Sequence, residues 1–180
     1  MPEKAGNMSL PPDDFGLGKY LGKWYDAVKS IWKGGADMND HELAVKVHSS
    51  MYHQCRNRGH ATAVDVLMDL SYLKKEHYEN WRHGRVPYLE RVCTVNLSKL
   101  STVRHEMRVY ARKANLKPSF CYYKQWAVKG KTIPLRFSKF GKEDIEKQYA
   151  THFVDSKRVA ELKAQRQEAS APAEDAEGDV

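Results

Sequence analysis

The chain has 180 residues, 41% of them hydrophobic, and a net charge of +7 at neutral pH. This length suits one core, for which about 100–150 residues are enough, together with polar appendages. The lack of any run of about 18 apolar residues excludes a conventional membrane-spanning helix. Three cysteines offer no evident disulfide framework, and residues 1–7 lack the apolar stretch of a secretory signal. We therefore expect a cytoplasmic protein with reduced thiols.

Positive charge is concentrated in one part of the sequence. Residues 82–142 contain 15 Lys or Arg against two acids, a net charge of +13, whereas residues 1–81 and 143–180 carry −1 and −5. Self-repulsion makes such a block unfavourable unless a polyanion or an acidic partner neutralises it. The basic block, residues 82–142, therefore predicts an anionic partner, with nucleic acid as the first candidate.

A flexible arm and an aromatic helix are predicted at the start of the chain. Residues 1–18 are rich in Pro and Gly, which indicates a loose N-terminal arm. In residues 20–32 the apolar side chains recur with a period near 3.6, which predicts an amphipathic helix. Its aromatic stripe around Trp24 suits a core, with a homodimer interface as the alternative. This helix opens a three-helix scaffold predicted at residues 19–84.

The rest of the scaffold is predicted as two further helices. Asn39 or Asp40 is a natural cap for the second helix, and Gly59 ends it. Its predicted buried face consists of Leu43, Val47, Met51 and Cys55. The third helix is predicted at residues 61–81, with Gly84 closing it. Its apolar side consists of Val64, Leu67, Leu70, Leu73 and Tyr78.

The basic block is predicted to contain two helices joined by a short turn. Pro87 suits the first turn of a helix at residues 87–96, and the helical pattern breaks at residues 97–100. Ser101 then suits the N-cap of the next helix, at residues 101–114. This order is that of a helix-turn-helix.

A β-hairpin and a final helix are predicted after these two helices. Residues 120–137 contain two β-prone stretches around a turn at Gly130, which completes a basic unit at residues 85–141. A last helix is predicted at residues 142–167. Its apolar residues, spaced by four, are Ile145, Tyr149 and Phe153. The acidic segment 168–180 is expected to be disordered and to compete with nucleic acid for the basic block, with a purely solubilising tail as the alternative.

Together these elements predict a mainly α protein of the α+β class, in which a helical N-terminal scaffold precedes a winged-helix-like unit. The stretch 97–104 is similar to the turn of bacterial winged-helix regulators, although Asn96 or Lys99 stands where that turn usually has Gly. The resemblance implies that the second helix enters the major groove of duplex DNA and that the hairpin acts as a wing.

The predicted nucleic-acid-binding residues fall into a helix group and a hairpin group. An Arg on a helix in the major groove can bond guanine O6 and N7 together, whereas lysines on a hairpin hold phosphate and fix the register. The helix group is Lys99, Ser101, Thr102, Arg104, His105, Arg108, Arg112 and Lys113. The hairpin group is Lys124, Lys129, Lys131, Arg136 and Lys139. We predict a non-catalytic protein without a cofactor that binds duplex DNA in regulation or in replication and maintenance.

Two other partners stay open at this level. Alternation places Phe120, Tyr122 and Trp126 on one face of the hairpin, and exposed aromatics among lysines stack single-stranded bases, which favours RNA or a ribonucleoprotein. The basic face could instead meet an acidic protein, since the same charge argument applies to it.

Catalysis and metal binding have weaker sequence support. The spacing His105-x-x-Arg108 with the later Tyr149 looks like the His-x-x-Arg and nucleophilic Tyr of tyrosine recombinases, but no upstream Arg box is evident. The two acids of the basic block, Glu90 and Glu106, lie on different predicted helices, which disfavours metal-dependent hydrolysis. The cysteines form no Cys-x-x-Cys pair, so we expect no structural zinc.

Overall fold

The computed structural model describes residues 39–126 and 129–170. In these residues the protein is mainly helical, with one small antiparallel sheet. The helices are α1 (Asp40–Arg58), α2 (Ala63–Asp69), α3 (Lys75–Arg82), α4 (Leu97–Lys113), α5 (Glu143–Ala150) and α6 (Ser156–Ser170), with a 3₁₀ turn at Leu89–Val92. The strands are β1 (His60–Ala61), β2 (Lys117–Phe120) and β3 (Thr151–Val154). The predicted arm, the helix at 20–32 and the tail beyond residue 170 lie outside the described residues.

Helix α1 confirms the sequence prediction at both ends. The Asn39 side chain accepts a hydrogen bond from the backbone N–H of Glu42 (2.9 Å), which satisfies one of the free donors of the first turn. At the other end Gly59 adopts φ 81°, the left-handed conformation that favours glycine. The four apolar residues predicted for its inner face are all buried, and α4 packs along this helix.

The prediction of one long helix at 61–81 was wrong. Helix α2 ends at Asp69 and α3 begins at Lys75. Between them Ser71 adopts φ 60°, and the backbone N–H groups of Tyr72 and Leu73 both donate to the carbonyl of Leu67. The turn buries Tyr72 and Leu73. The turn therefore keeps apolar side chains buried where the helix is broken, which is why the pattern resembled a continuous helix.

The helix-turn-helix prediction also fails in its elements. The predicted helix at 87–96 is only the 3₁₀ turn, which ends at Cys93 in an extended conformation (ψ 141°). The N–H groups of Leu89 and Glu90, at its start, donate to the carbonyls of Arg136 and Phe137. Helix α4 begins at Leu97, and its cap is Asn96, not Ser101. The expected four-residue turn is thus the first turn of α4.

The sheet has the order β1-β3-β2, with β3 in the centre. Strand β3 interrupts the helix predicted at 142–167 and separates α5 from α6. Thr151–Val154 pairs with two antiparallel neighbours, β1 and β2. The hydrogen bonds of this pairing stabilise a strand there rather than a helix. The side chain of Asp155 then accepts hydrogen bonds from the N–H groups of Lys157 and Arg158, which starts α6.

In the described residues, which omit 127 and 128, the predicted hairpin is a short irregular pairing. Lys124 and Pro134 form an isolated antiparallel bridge, and Gly130 has φ 75° near the predicted turn. Phe120 instead belongs to β2 and pairs with Thr151 of β3. The first residue of the predicted hairpin strand therefore belongs to the three-stranded sheet.

An aromatic cluster fixes the hairpin segment to α3. Trp81 is fully buried, and its indole N–H donates to the carbonyl of Arg136 (2.8 Å). Its ring lies 5.0 Å from that of Phe137 and 5.9 Å from that of Tyr123. Phe137 stacks in turn on Tyr149 of α5, with ring centroids 5.4 Å apart. Large aromatic rings at such distances contribute both buried area and favourable ring geometry.

Two glycines with similar backbone angles allow a test of the contact between α1 and α6. A Cβ atom at Gly59 would lie 2.5 Å from Cγ2 of Val159, whereas a Cβ atom at Gly130 meets nothing within 4 Å. Gly130→Ala should cost only the left-handed backbone strain, about 1–2 kcal/mol. Gly59→Ala should cost about 3 kcal/mol, because overpacking adds to that strain.

Urea unfolding of both variants measures this difference. Equal losses in the free energy of unfolding for Gly59→Ala and Gly130→Ala would show that α6 does not press on the end of α1.

Candidate functional site

A groove of about 520 Å³ opens between α4 on one side and α5, β2 and β3 on the other. Its lining residues are Arg104, His105, Met107, Arg108, Ala111, Arg112, Leu116, Pro118, Lys147, Gln148, Thr151 and Phe153. The lining combines apolar side chains with cationic and polar ones. We call this feature the basic groove.

Four cationic side chains line the basic groove. Arg104, Arg108 and Arg112 follow one another at four-residue intervals on α4, so they lie on one face of that helix. Lys147 faces them from α5. None of the described residues that line the groove is acidic, although Lys147 also pairs with the exposed Glu143 (2.6 Å). The groove therefore concentrates positive charge over a partly apolar surface.

Arg104 occupies the floor of this array and is held by a buried polar unit. It is only 8% exposed, so the prediction that it faces outward was wrong. Its Nη1 atom donates to the hydroxyl of Tyr149 (2.6 Å) and lies 3.5 Å from Oε1 of Glu90. The Tyr149 hydroxyl donates to the same Glu90 oxygen (3.0 Å). We call these three residues the buried triad.

Gln148 joins the first two arginines of the array. Its Oε1 atom accepts hydrogen bonds from Nε of Arg104 (3.3 Å) and from Nη1 of Arg108. One neutral acceptor thus holds two guanidinium groups close together without cancelling either charge. Arg112, one turn further along α4, is exposed. The array therefore passes from a buried, fixed cation to a solvent-accessible one.

Both acidic residues of the basic block, Glu90 and Glu106, contact partners inside the protein. Glu90 belongs to the buried triad, and its second oxygen accepts the N–H of Lys139 (2.9 Å). Glu106 lies 3.0 Å from Nε2 of His48 on α1; burial lowers the pKa of that histidine. Neither carboxylate lines the basic groove, although Glu90 pairs with Arg104 (3.5 Å) and Glu106 also lies 4.0 Å from Nε2 of His105.

The predicted site residues separate into two places. Four of the eight helix residues, Arg104, His105, Arg108 and Arg112, line the basic groove. Lys99, Ser101, Thr102 and Lys113 lie on α4 outside its lining. The hairpin group is exposed but does not line the groove. It consists of Lys124, Lys129, Lys131, Arg136 and Lys139. The structure thus brings together the arginines of the helix and leaves the predicted wing apart from them.

Sequence reasoning missed the wall opposite α4. Lys147 and Gln148 lie in the acidic segment 143–180, where the charge count gave no reason to select them. Pro118 and Thr151 reach the groove only because β2 pairs with β3. No local signal in the sequence marks these four residues, since their position depends on long-range pairing.

The arrangement around Tyr149 does not suit nucleophilic attack. Its hydroxyl is buried and donates its proton to Glu90. Burial raises the pKa of Tyr149 far above the usual value of about 10, although Arg104 opposes the shift. A tyrosine nucleophile needs an accessible oxygen and a base, whereas this oxygen has a structural role. In the described part of the chain, no group of three or more His, Cys, Asp or Glu is placed to hold a metal ion.

Comparisons of the chain with protein-family models, with curated proteins and with solved structures found no match. Of the described helices, none is long and apolar enough to cross a membrane. Function is therefore inferred from the residues and geometry of the basic groove.

Removing the charge of Glu90 tests the buried triad. The Glu90 side chain is 6% exposed and that of Arg104 is 9% exposed. Glu90→Gln keeps the shape but leaves the Arg104 guanidinium without its anionic partner in a poorly solvated place. We expect a loss of about 3–5 kcal/mol in the free energy of unfolding, measured by urea denaturation.

Glu143→Gln is the matched control, because Glu143 forms an exposed pair with Lys147. It should leave the free energy of unfolding unchanged within error. A Glu90→Gln variant as stable as this control would mean that the triad does not support the fold.

Proposed function

We propose that this protein binds nucleic acid without acting on it chemically, and that the phosphate backbone lies in the basic groove. The observation that carries the proposal is the array of Arg104, Arg108, Arg112 and Lys147 along one groove whose described lining has no acid. Guanidinium groups match the geometry of phosphate oxygens and donate to them in pairs. Their concentration at one site supports a phosphate ligand better than charges scattered over the surface would.

The length of the array favours a chain of phosphates over a single small anion. Arg104 and Arg112 are eight residues apart on α4, which is about 12 Å along the helix axis. Among the described contacts of these four cations, Arg104 pairs with the buried Glu90 and Lys147 pairs with the exposed Glu143. No described carboxylate pairs with Arg108 or Arg112, so their charge is available to a ligand. An extended polyanion would contact successive cations along this length. The net charge of +13 in the basic block supports long-range attraction of the same ligand.

Whether the nucleic acid is duplex DNA is a separate question from whether the groove binds phosphate. The prediction of duplex DNA depended on a helix-turn-helix and a wing, and the described elements before α4 do not form that pair of helices. Helix α4 still presents Ser101, His105 and Arg112 to solvent. Insertion of α4 into a major groove therefore stays a prediction that rests on this exposed stripe alone.

Neutralising single groove cations tests the proposal. Arg112→Gln and Lys147→Gln should each weaken binding of an oligonucleotide. Each should also reduce the slope of log affinity against log salt, by about 0.9 on duplex DNA or about 0.7 on a single strand for each phosphate that the variant no longer neutralises. Fluorescence anisotropy over a salt series gives both quantities.

Arg91→Gln is the matched control, because Arg91 is an exposed arginine of the basic block that does not line the groove. It should change affinity and slope much less. If it weakens binding as much as the groove variants do, binding is a diffuse effect of net charge. If no oligonucleotide binds at low salt, the proposed function is wrong.

A further inference from the structure

Two exposed aromatic side chains lie at the end of the strand that borders the basic groove and just beyond it. Phe120 at the end of β2 is 63% exposed, and Tyr122 two residues later is 60% exposed. Exposed aromatics of this size cost solvation free energy unless a ligand covers them. The buried aromatic cluster around Trp81 is built from other rings, those of Tyr123, Phe137 and Tyr149.

Pairing between β2 and β3 places Phe120 on the groove side of the sheet. Pro118 pairs with Phe153, and Phe120 pairs with Thr151. Pro118, Phe153 and Thr151 line the groove. Successive side chains of a strand point to opposite faces, so residues two apart share a face. Phe120 therefore lies on the same face as Pro118, further along the edge of the groove.

Contacts of the intervening residues show that this alternation continues past the strand. Cys121 Sγ lies 3.1 Å from Nδ1 of His152, and the hydroxyl of Tyr123 lies 2.8 Å from Nε2 of the same ring. His152 comes between the groove residues Thr151 and Phe153, so it belongs to the opposite face. With Cys121 and Tyr123 directed there, Phe120 and Tyr122 are left on the groove side.

The edge formed by β2 is poorly suited to pairing with a strand of another protein. Strand β2 is at the outside of the described sheet, but Pro118 lacks an N–H group and Lys117 is charged and exposed. Proline and lysine on an edge strand oppose strand addition. We therefore infer the ligand from the exposed aromatic rings and not from the unpaired backbone edge of β2.

We propose that the preferred ligand is single-stranded nucleic acid, with its phosphates along the basic groove and its bases stacked on Phe120 and Tyr122. This inference rests on the proposed function and names its substrate class. Single-stranded binding sites combine a cationic track with aromatic platforms, because an unpaired base exposes its whole face. A duplex keeps its bases stacked on each other and offers these rings nothing comparable.

The first experiment compares aromatic variants on matched ligands. The ligands are a single-stranded RNA, a single-stranded DNA and a duplex, each of about twelve nucleotides per strand. Phe120→Ala and Tyr122→Ala should each weaken single-strand binding about tenfold, as expected for loss of one stacked base. Binding of the duplex should be weaker than that of either single strand and should not respond to these substitutions.

Phe140→Ala is the matched control for aromatic exposure. Phe140 is 69% exposed but belongs neither to the groove lining nor to β2 and the residues that follow it directly, so its loss should leave all affinities unchanged. Because Phe120 and Tyr122 are also exposed, their variants should unfold at the same urea concentration as the original protein. That measurement excludes misfolding as the cause of weaker binding.

An abasic single strand of the same length separates stacking from charge. It keeps every phosphate but has no base to stack on either ring, so it should bind more weakly than the normal strand binds to Phe120→Ala, which still has Tyr122. On this ligand Phe120→Ala should have no further effect, whereas Arg112→Gln should still weaken binding.

The outcomes distinguish the two proposals. If no ligand binds, the proposed function fails and the inference with it. If duplex and single strands bind equally, or if Phe120→Ala weakens the normal and abasic strands by the same factor, the groove binds phosphates but the inference is wrong. A tighter complex with RNA than with DNA, or the reverse, identifies which single strand the same surface prefers.

Discussion

The buried triad of Glu90, Tyr149 and Arg104 is the contact on which the groove depends. It joins three segments that are far apart in the sequence: the 3₁₀ turn, α4 and α5. A buried guanidinium is tolerated only when an anion and further hydrogen bonds replace its water. Here a carboxylate, a hydroxyl and the Gln148 amide do so. The same carboxylate also takes the N–H of Lys139, which ties the end of the hairpin segment to this centre.

The groove stays positively charged because three nearby acids have partners inside the protein. Glu90 faces inward to the triad, Glu106 faces His48 on α1, and Glu146 accepts the N–H groups of Phe137 and Ser138. Each of these carboxylates stabilises the fold through internal partners. The walls of the groove are then left to Arg108, Arg112 and Lys147, so the local potential is more positive than the overall charge of +7 suggests.

The small sheet gives the two sides of β3 different environments. On one face Thr151 and Phe153 form part of the groove. On the other, His152 stacks on His60 and meets Cys121 and Tyr123. Burial and the neighbouring His60 lower the pKa of His152. The strand thus separates the basic groove from a cluster of imidazole and aromatic rings.

The sequence alone determined the features that depend on near neighbours: the capped helix α1, its left-handed end at Gly59, and the concentration of cations in residues 82–142. It could not place the break after α2 or strand β3, because an apolar period survives a turn and a strand is selected by its distant partners. Only the tertiary structure decided which arginine is buried, and that Lys147 stands opposite α4. Both depend on long-range hydrogen bonds and strand pairing, which no local pattern encodes.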